Sequence, residues 1–162
     1  ALVVEYADTR ILVDCGFSAK ETERRLARLD IDADTLDALK TAIEGFDGCI
    51  LKESARNTAC FDGVQGAPVM VIGEGPGAEE DAKGLPFVGR AGQLLDRMLA
   101  AIGLSRTENT FITNVNYWRP PGNRNPSDDE LELCRPFVDR MIELGQPKLK
   151  RIRFLTLKRC KV

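Results

Sequence analysis

Four apolar residues, Val69, Met70, Val71 and Ile72, run without a polar break into three alternate glycines, Gly73, Gly75 and Gly77, and then into Glu79, Glu80 and Asp81. So short and unbroken an apolar run, closed by glycine, suits a strand buried on both faces, as in a parallel sheet. Parallel strands need a crossover, and the next segment supplies one. Residues Gly89 to Ile102 predict a helix with Leu94, Leu95, Met98, Leu99 and Ile102 on one stripe, ended by Gly103. "TFITNV", 110–115, predicts the next strand, and Ser127 with Glu130 forms a capping box that opens a helix to about Leu144. Strand, helix, strand, helix is the order of an α/β sheet.

A glycine-rich turn between strand and helix commonly cradles a phosphate. Here Glu79, Glu80 and Asp81 stand where the phosphate would sit and would repel it, and the Lys-Ser/Thr pair of a P-loop is absent. Open α/β sheets bind ligands at the carboxyl ends of their strands. The segments from Gly73 to Gly89 and from Asn114 to Asn125 are therefore the candidate site, the second broken by Pro120, Pro121 and Gly122.

Upstream, "ALVVEYADTRILVDCG" predicts two short strands around a turn at Ala7-Asp8. Ser18 and Glu21 form a capping box for a helix to about Leu29, and Thr35 caps another to about Ile43 with Leu36, Leu39 and Ile43 on one face. Residues 49–67 read as irregular loop.

Charge and composition exclude several functions. The 162 residues carry a net charge of −2, but the tail from Lys148 holds seven Lys and Arg and no acid, so residues 1–147 carry −9. An acidic body argues against strong non-specific DNA affinity. There is no histidine, which removes imidazole as base, acid or metal ligand. The five cysteines, Cys15, Cys49, Cys60, Cys134 and Cys160, are scattered and odd in number, which fits reduced cytoplasmic thiols rather than a disulfide framework. No apolar run approaches a membrane span.

"GEGPGAEEDAKGLPFVGRAGQLLDRML" followed by "ITNVNYWRPPGNRNP" closely resembles the family-4 uracil-DNA glycosylases, over about residues 35–149. The resemblance implies a three-layer, open, mostly parallel α/β sheet whose loop holds a flipped base. It implies catalytic roles for Glu74 and Glu80, uracil binding by Gly75, Phe87 and Asn114, and phosphate contacts by Arg119 and Arg124. The chemistry is coherent. A glycosylase takes its base out of the stack and reads the Watson–Crick edge, and an asparagine offers the matching donor and acceptor. Taken singly, each residue has an ordinary use: a helix-start acid, a core phenylalanine, a loop asparagine, a surface arginine.

Three departures accompany the resemblance. Many family members hold an iron–sulfur cluster on four cysteines. Cys49 and Cys134 match two of these, while Lys52 and Trp118 occupy the other two places, so no cluster and no other metal is expected, and Trp118 is expected to pack where the cluster would lie. The family's later histidine motif, expected to stabilise the leaving uracil, has no counterpart. After "PKL" the sequence reads "KRIRFLTLKRCKV" where the family continues with a buried strand, so the sheet is expected to be incomplete at the C-terminus.

Residues 3–32 resemble the start of a metallo-β-lactamase-fold hydrolase. The expected organisation is thus an N-terminal hairpin and helix of different origin (1–34), a uracil-DNA glycosylase-like domain (35–149) and a basic tail (150–162). The expected function is base excision repair of uracil-containing DNA by a cytoplasmic monomer with no membrane contact, impaired by truncation. The alternative is a non-catalytic DNA- or base-binding remnant, or a chimeric fragment without selected function.

Overall fold

The computed structural model describes residues 34–146, together with the backbone of two N-terminal strands. These strands, β1 (Leu2–Tyr6) and β2 (Thr9–Val13), pair antiparallel from Leu2 opposite Val13 to Tyr6 opposite Thr9, as the turn signal predicts. The expected helix from Ser18 and the basic tail lie outside the described residues.

Thr35 caps α1 (Leu36–Gly45) by accepting from the Ala38 N–H at 3.1 Å, and Leu36, Leu39 and Ile43 form its buried face, as predicted. The segment read as irregular loop instead contains α2 (Leu51–Ser54) and β3 (Phe61–Gly63). Four and three residues are too few to show a helical or a strand period, so that expectation is corrected.

The main sheet has the order β3, β5, β4. β4 (Val69–Gly73) runs parallel to β5 (Thr110–Asn114), with Gly73 opposite Asn114, whereas β3 is antiparallel to β5. Every residue of β5 is buried, and its alternating side chains serve two cores. Phe111 joins Leu36, Leu39 and Ile43 of α1 and Phe137 and Met141 of the long helix α5 (Asp128–Gly145). Ile112 faces the other way, onto Leu95 and Leu99 of α4 (Arg90–Ala100). A sheet between helical layers is the three-layer α/β arrangement, but the expected mostly parallel sheet is mixed among the described residues, one pairing parallel and one antiparallel.

The predicted stripe on α4 divides. Leu95 and Leu99 are buried, while Leu94, Met98 and the following Ile102 are 39%, 48% and 70% exposed. Residues 94 and 95 lie about 100° apart around a helix, so only the column through Gly92, Leu95 and Leu99 faces the sheet. Burying each leucine contributes about 1.5–3 kcal/mol, which holds α4 in place without the second column.

Candidate functional site

The parallel register brings the carboxyl ends of β4 and β5 side by side. Val115 N–H donates to the Gly73 carbonyl at 2.8 Å and Asn116 N–H to the Glu74 carbonyl at 3.0 Å. At this end the Asn114 side chain is 1% exposed, and its Oδ1 has no hydrogen-bond partner. An orphaned buried acceptor costs about 1–3 kcal/mol, so its retention at a strand end asks for a ligand donor.

Gly73 explains how Asn114 and Phe87 share one spot. A side-chain carbon at Gly73 would come within 2.5 Å of both Asn114 Oδ1 and the Phe87 ring edge. Glycine thus leaves the space in which amide and ring meet. Gly75 lies against Asn116, whose Nδ2 would be 3.2 Å from any added carbon. Asn116 itself is a loop staple, donating to the Trp118 carbonyl at 2.6 Å and accepting from the Trp118 N–H at 3.2 Å.

Phe87 has a φ of 53°, in the left-handed region that a bulky residue rarely adopts. Three groups hold it there. The Glu80 carboxylate accepts from the N–H groups of the next two residues, Val88 at 3.0 Å and Gly89 at 2.8 Å, and also from Gly77 at 3.1 Å. Arg106 donates to the Phe87 carbonyl at 2.7 Å, itself braced by Asp62 at 2.7 Å and Asp96 at 2.8 Å. Gly92 lies under the same carbonyl, where a side-chain carbon would collide with the Phe87 backbone. Backbone strain held by several independent groups is a feature of ligand sites.

Asn114, Phe87, Gly75 and Glu74 therefore gather around the strand ends. Glu74 is half-buried there. Glu80 belongs to α3 (Ala78–Lys83), and its carboxylate, expected from sequence to act on substrate, is engaged by three backbone amides. Arg119 sits farther along, donating from Nε to Asn123 at 2.6 Å and lying 3.9 Å from Asp81. Arg124 forms a two-pronged pair with Glu130, at 2.8 and 2.6 Å. That pair holds the Glu130 carboxyl down to about 2, the Arg124 hydrogen bond being the main cause.

Arg106 and Gly92 escaped the sequence reading. Arg106 reaches Phe87 across 19 residues of chain and has no local signature. Gly92 did carry a signal, since glycine inside a strong helix usually has a packing reason.

Of the cysteines, the described residues place Cys49, Cys60 and Cys134, all buried and free. Cys49 and Cys134 are buried and share a hydrogen bond that lowers the Cys49 thiol to about 7, while the same bond and burial push Cys134 up. Lys52 turns to Asp47 at 2.6 Å. Trp118 is 1% exposed, packed against Phe46 and Tyr117 with ring centroids 6.3 and 5.9 Å away. Two thiols do not make a Cys₄ set, and among the described residues no three His, Cys, Asp or Glu side chains converge on a possible metal.

Fold and site together define an α/β protein in which a buried amide and an aromatic ring meet over a glycine at the ends of its parallel strands. Residues 61–152 match the uracil DNA glycosylase superfamily, and the chain belongs to that superfamily. It is similar to the type-4 uracil-DNA glycosylase of Sulfurisphaera tokodaii, 42% identical over 72% of this chain and 53% of that protein. It is similar too to those of Archaeoglobus fulgidus, 41% identical over 72% and 58%, and Thermotoga maritima, 37% identical over 69% and 58%. The chain thus spans little more than half the length of these relatives.

Proposed function

We propose that this chain is a type-4 uracil-DNA glycosylase module, which binds a uracil flipped out of DNA and hydrolyses its N-glycosidic bond. The observation that carries the reading is the unpartnered, buried Asn114 Oδ1 beside the Phe87 ring. Uracil presents an N3–H donor next to a carbonyl acceptor, which an asparagine amide complements, and the flat base stacks on the phenyl face.

Bond cleavage leaves positive charge on the sugar and negative charge on the departing base; water adds to the sugar carbon and uracil takes a proton. In this reading Glu74, at the end of β4, faces the sugar and stabilises its charge or orients the water. Within these 162 residues, which hold no histidine, the groups suited to meet charge on the base are the Asn114 amide and the N–H groups of the glycine loop. Gly75 lets that backbone approach closely. Glu80 is a positioning residue, ordering the turn that presents Phe87. Arg119, and Arg124 on its exposed side, lie along the path of the strand and meet its phosphates.

The two-thiol donor set supports a module without an iron–sulfur cluster. Residues 1–34 and 150–162 are proposed as segments apart from the glycosylase-like domain, the N-terminal one of different origin on the strength of its resemblance alone. Among the described residues no helix is long and apolar enough to cross a membrane.

The test is uracil release from labelled single- and double-stranded oligonucleotides under enzyme excess, read as cleavage at the abasic site. Asn114→Ala should lower release about 100-fold or more, the scale for losing a preorganised donor at a reacting centre, and Glu74→Ala should lower it too. Release indifferent to both substitutions would end the base-pocket reading. Uracil-dependent binding without release would instead favour a base-binding module, a reading favoured by the engagement of Glu80 with backbone amides.

A further inference from the structure

A cleft of about 450 Å³ is lined by Lys40, Lys52, Arg56, Thr58 and Trp118 among others, with Glu44 the one carboxylate on its wall. Two arginines outside it are tied to acids, Arg106 to Asp62 and Asp96 and Arg124 to Glu130. Here Arg56 has no acidic side-chain partner among the described residues. Lys52 has only Asp47, which is 87% exposed, and an ion pair so open to water is worth about 0–1 kcal/mol. Lys40 stands 4.0 Å from Glu44, both side chains about half exposed.

Neutral groups add to the wall. The indole N–H of Trp118 donates to Thr58 Oγ1 at 3.0 Å. That bond fills an acceptor site of the hydroxyl and leaves its own hydrogen free of it. Three cations and a hydroxyl donor around an open polar cleft suit a tetrahedral anion.

The cleft is also tied to the base recess. Asp81, next to Glu80 on α3, accepts from the Arg56 N–H at 2.8 Å and the Asn57 N–H at 3.3 Å. Gly84, which ends α3, lies on the cleft wall three residues before Phe87. One short helix therefore fixes the turn that presents Phe87 and the wall that presents Arg56.

We propose that this cleft is a phosphate subsite that grips the backbone of the bound DNA strand, with Lys52 and Arg56 as its principal cations. The assignment of DNA as the source of the phosphate rests on the glycosylase reading. The site gives an otherwise acidic body a local hold on a polyanion, and it uses the two positions, 52 and 118, at which this chain departs from the cysteine pattern.

Trp118 is the only tryptophan in the chain, so its emission reports on the cleft. The experiment titrates wild type and the Lys52→Ala/Arg56→Ala double variant with a short uracil-free oligothymidylate and separately with inorganic phosphate. It follows anisotropy of the labelled oligonucleotide and Trp118 emission across a salt series. Expected are an emission change on oligothymidylate binding, weaker binding by the double variant with that change lost, and a salt slope reduced by about 0.7 for one lost phosphate contact. Equal affinity and slope in the two proteins would overturn the proposal. So would an emission response to inorganic phosphate with none to the oligonucleotide. Because the probe carries no uracil, its binding is read apart from the base recess. A failed glycosylase reading would appear as absent uracil release by wild type with oligothymidylate binding intact.

Discussion

At the scale of single residues, the recess depends on a backbone that would not choose its own shape. Phe87 at a φ of 53° is held by Glu80 from one side, Arg106 from another and Gly92 from beneath. Gly92→Ala would drive a methyl into the Phe87 carbonyl. In a helix interior alanine normally stabilises relative to glycine by about 0.5–1 kcal/mol, so the sign of the effect is diagnostic. Here the clash should win, with a loss of about 1–3 kcal/mol as for other overpacked sites, and uracil release should fall with it. A denaturant titration in which Gly92→Ala is more stable than wild type would show that this contact does not confine Phe87. Asn114 and Phe87 were legible in the sequence because their motifs are contiguous. Arg106 was not, because its three partners, Asp62, Phe87 and Asp96, come together only after the sheet and α4 have packed.

At the scale of elements, caps and periods were read best where the element is long. Ser127 and Glu130 announce α5, and both halves of the box form: the Ser127 hydroxyl accepts from the Glu130 N–H at 3.3 Å, and the Glu130 carboxylate accepts from the Ser127 N–H at 2.7 Å. The partner that the box does not predict is Arg124. Its hydrogen bonds, more than the helix start, hold the Glu130 carboxyl down to about 2. A carboxyl whose folded value lies below its unfolded value stabilises the fold fully above the ordinary carboxylate range. That contribution is lost as pH falls toward the folded value. Glu130→Gln should therefore melt below wild type at neutral pH, with the gap closing between about pH 4 and pH 2. Thermal melts followed by circular dichroism at several pH values check this; a gap that stays constant down to pH 2 would mean that Glu130 acts through shape and not through charge. The short elements α2 and β3 show the opposite case. The strand β3 is dictated by β5, whose Ile112 pairs with Asp62, and not by any pattern within residues 49–67.

At the scale of the whole molecule, the described residues are held by two cores on opposite faces of one sheet, and the larger of them has an aromatic centre. Phe46, Tyr117, Trp118 and Phe137 pack with ring centroids 5.1 to 6.3 Å apart. They tie the end of α1, the loop after β5 and the middle of α5 into one cluster. Cys49 and Cys134 lie in the same core. The sequence showed that the cysteine set was short by two. It put Trp118 in the iron–sulfur cluster's place but did not show the rings around it, because aromatic contact between residues 46, 118 and 137 has no one-dimensional signature. If the rings are the anchor, Trp118→Ala should cost about 3–5 kcal/mol, the range for truncating a buried aromatic. Trp118→Phe should cost less, because it keeps a ring but loses the donor to Thr58. Denaturant midpoints for the two variants, with iron measured in the purified protein, decide between anchors. A small loss in Trp118→Ala beside a full complement of bound iron would mean that metal, and not the indole, holds this side of the fold.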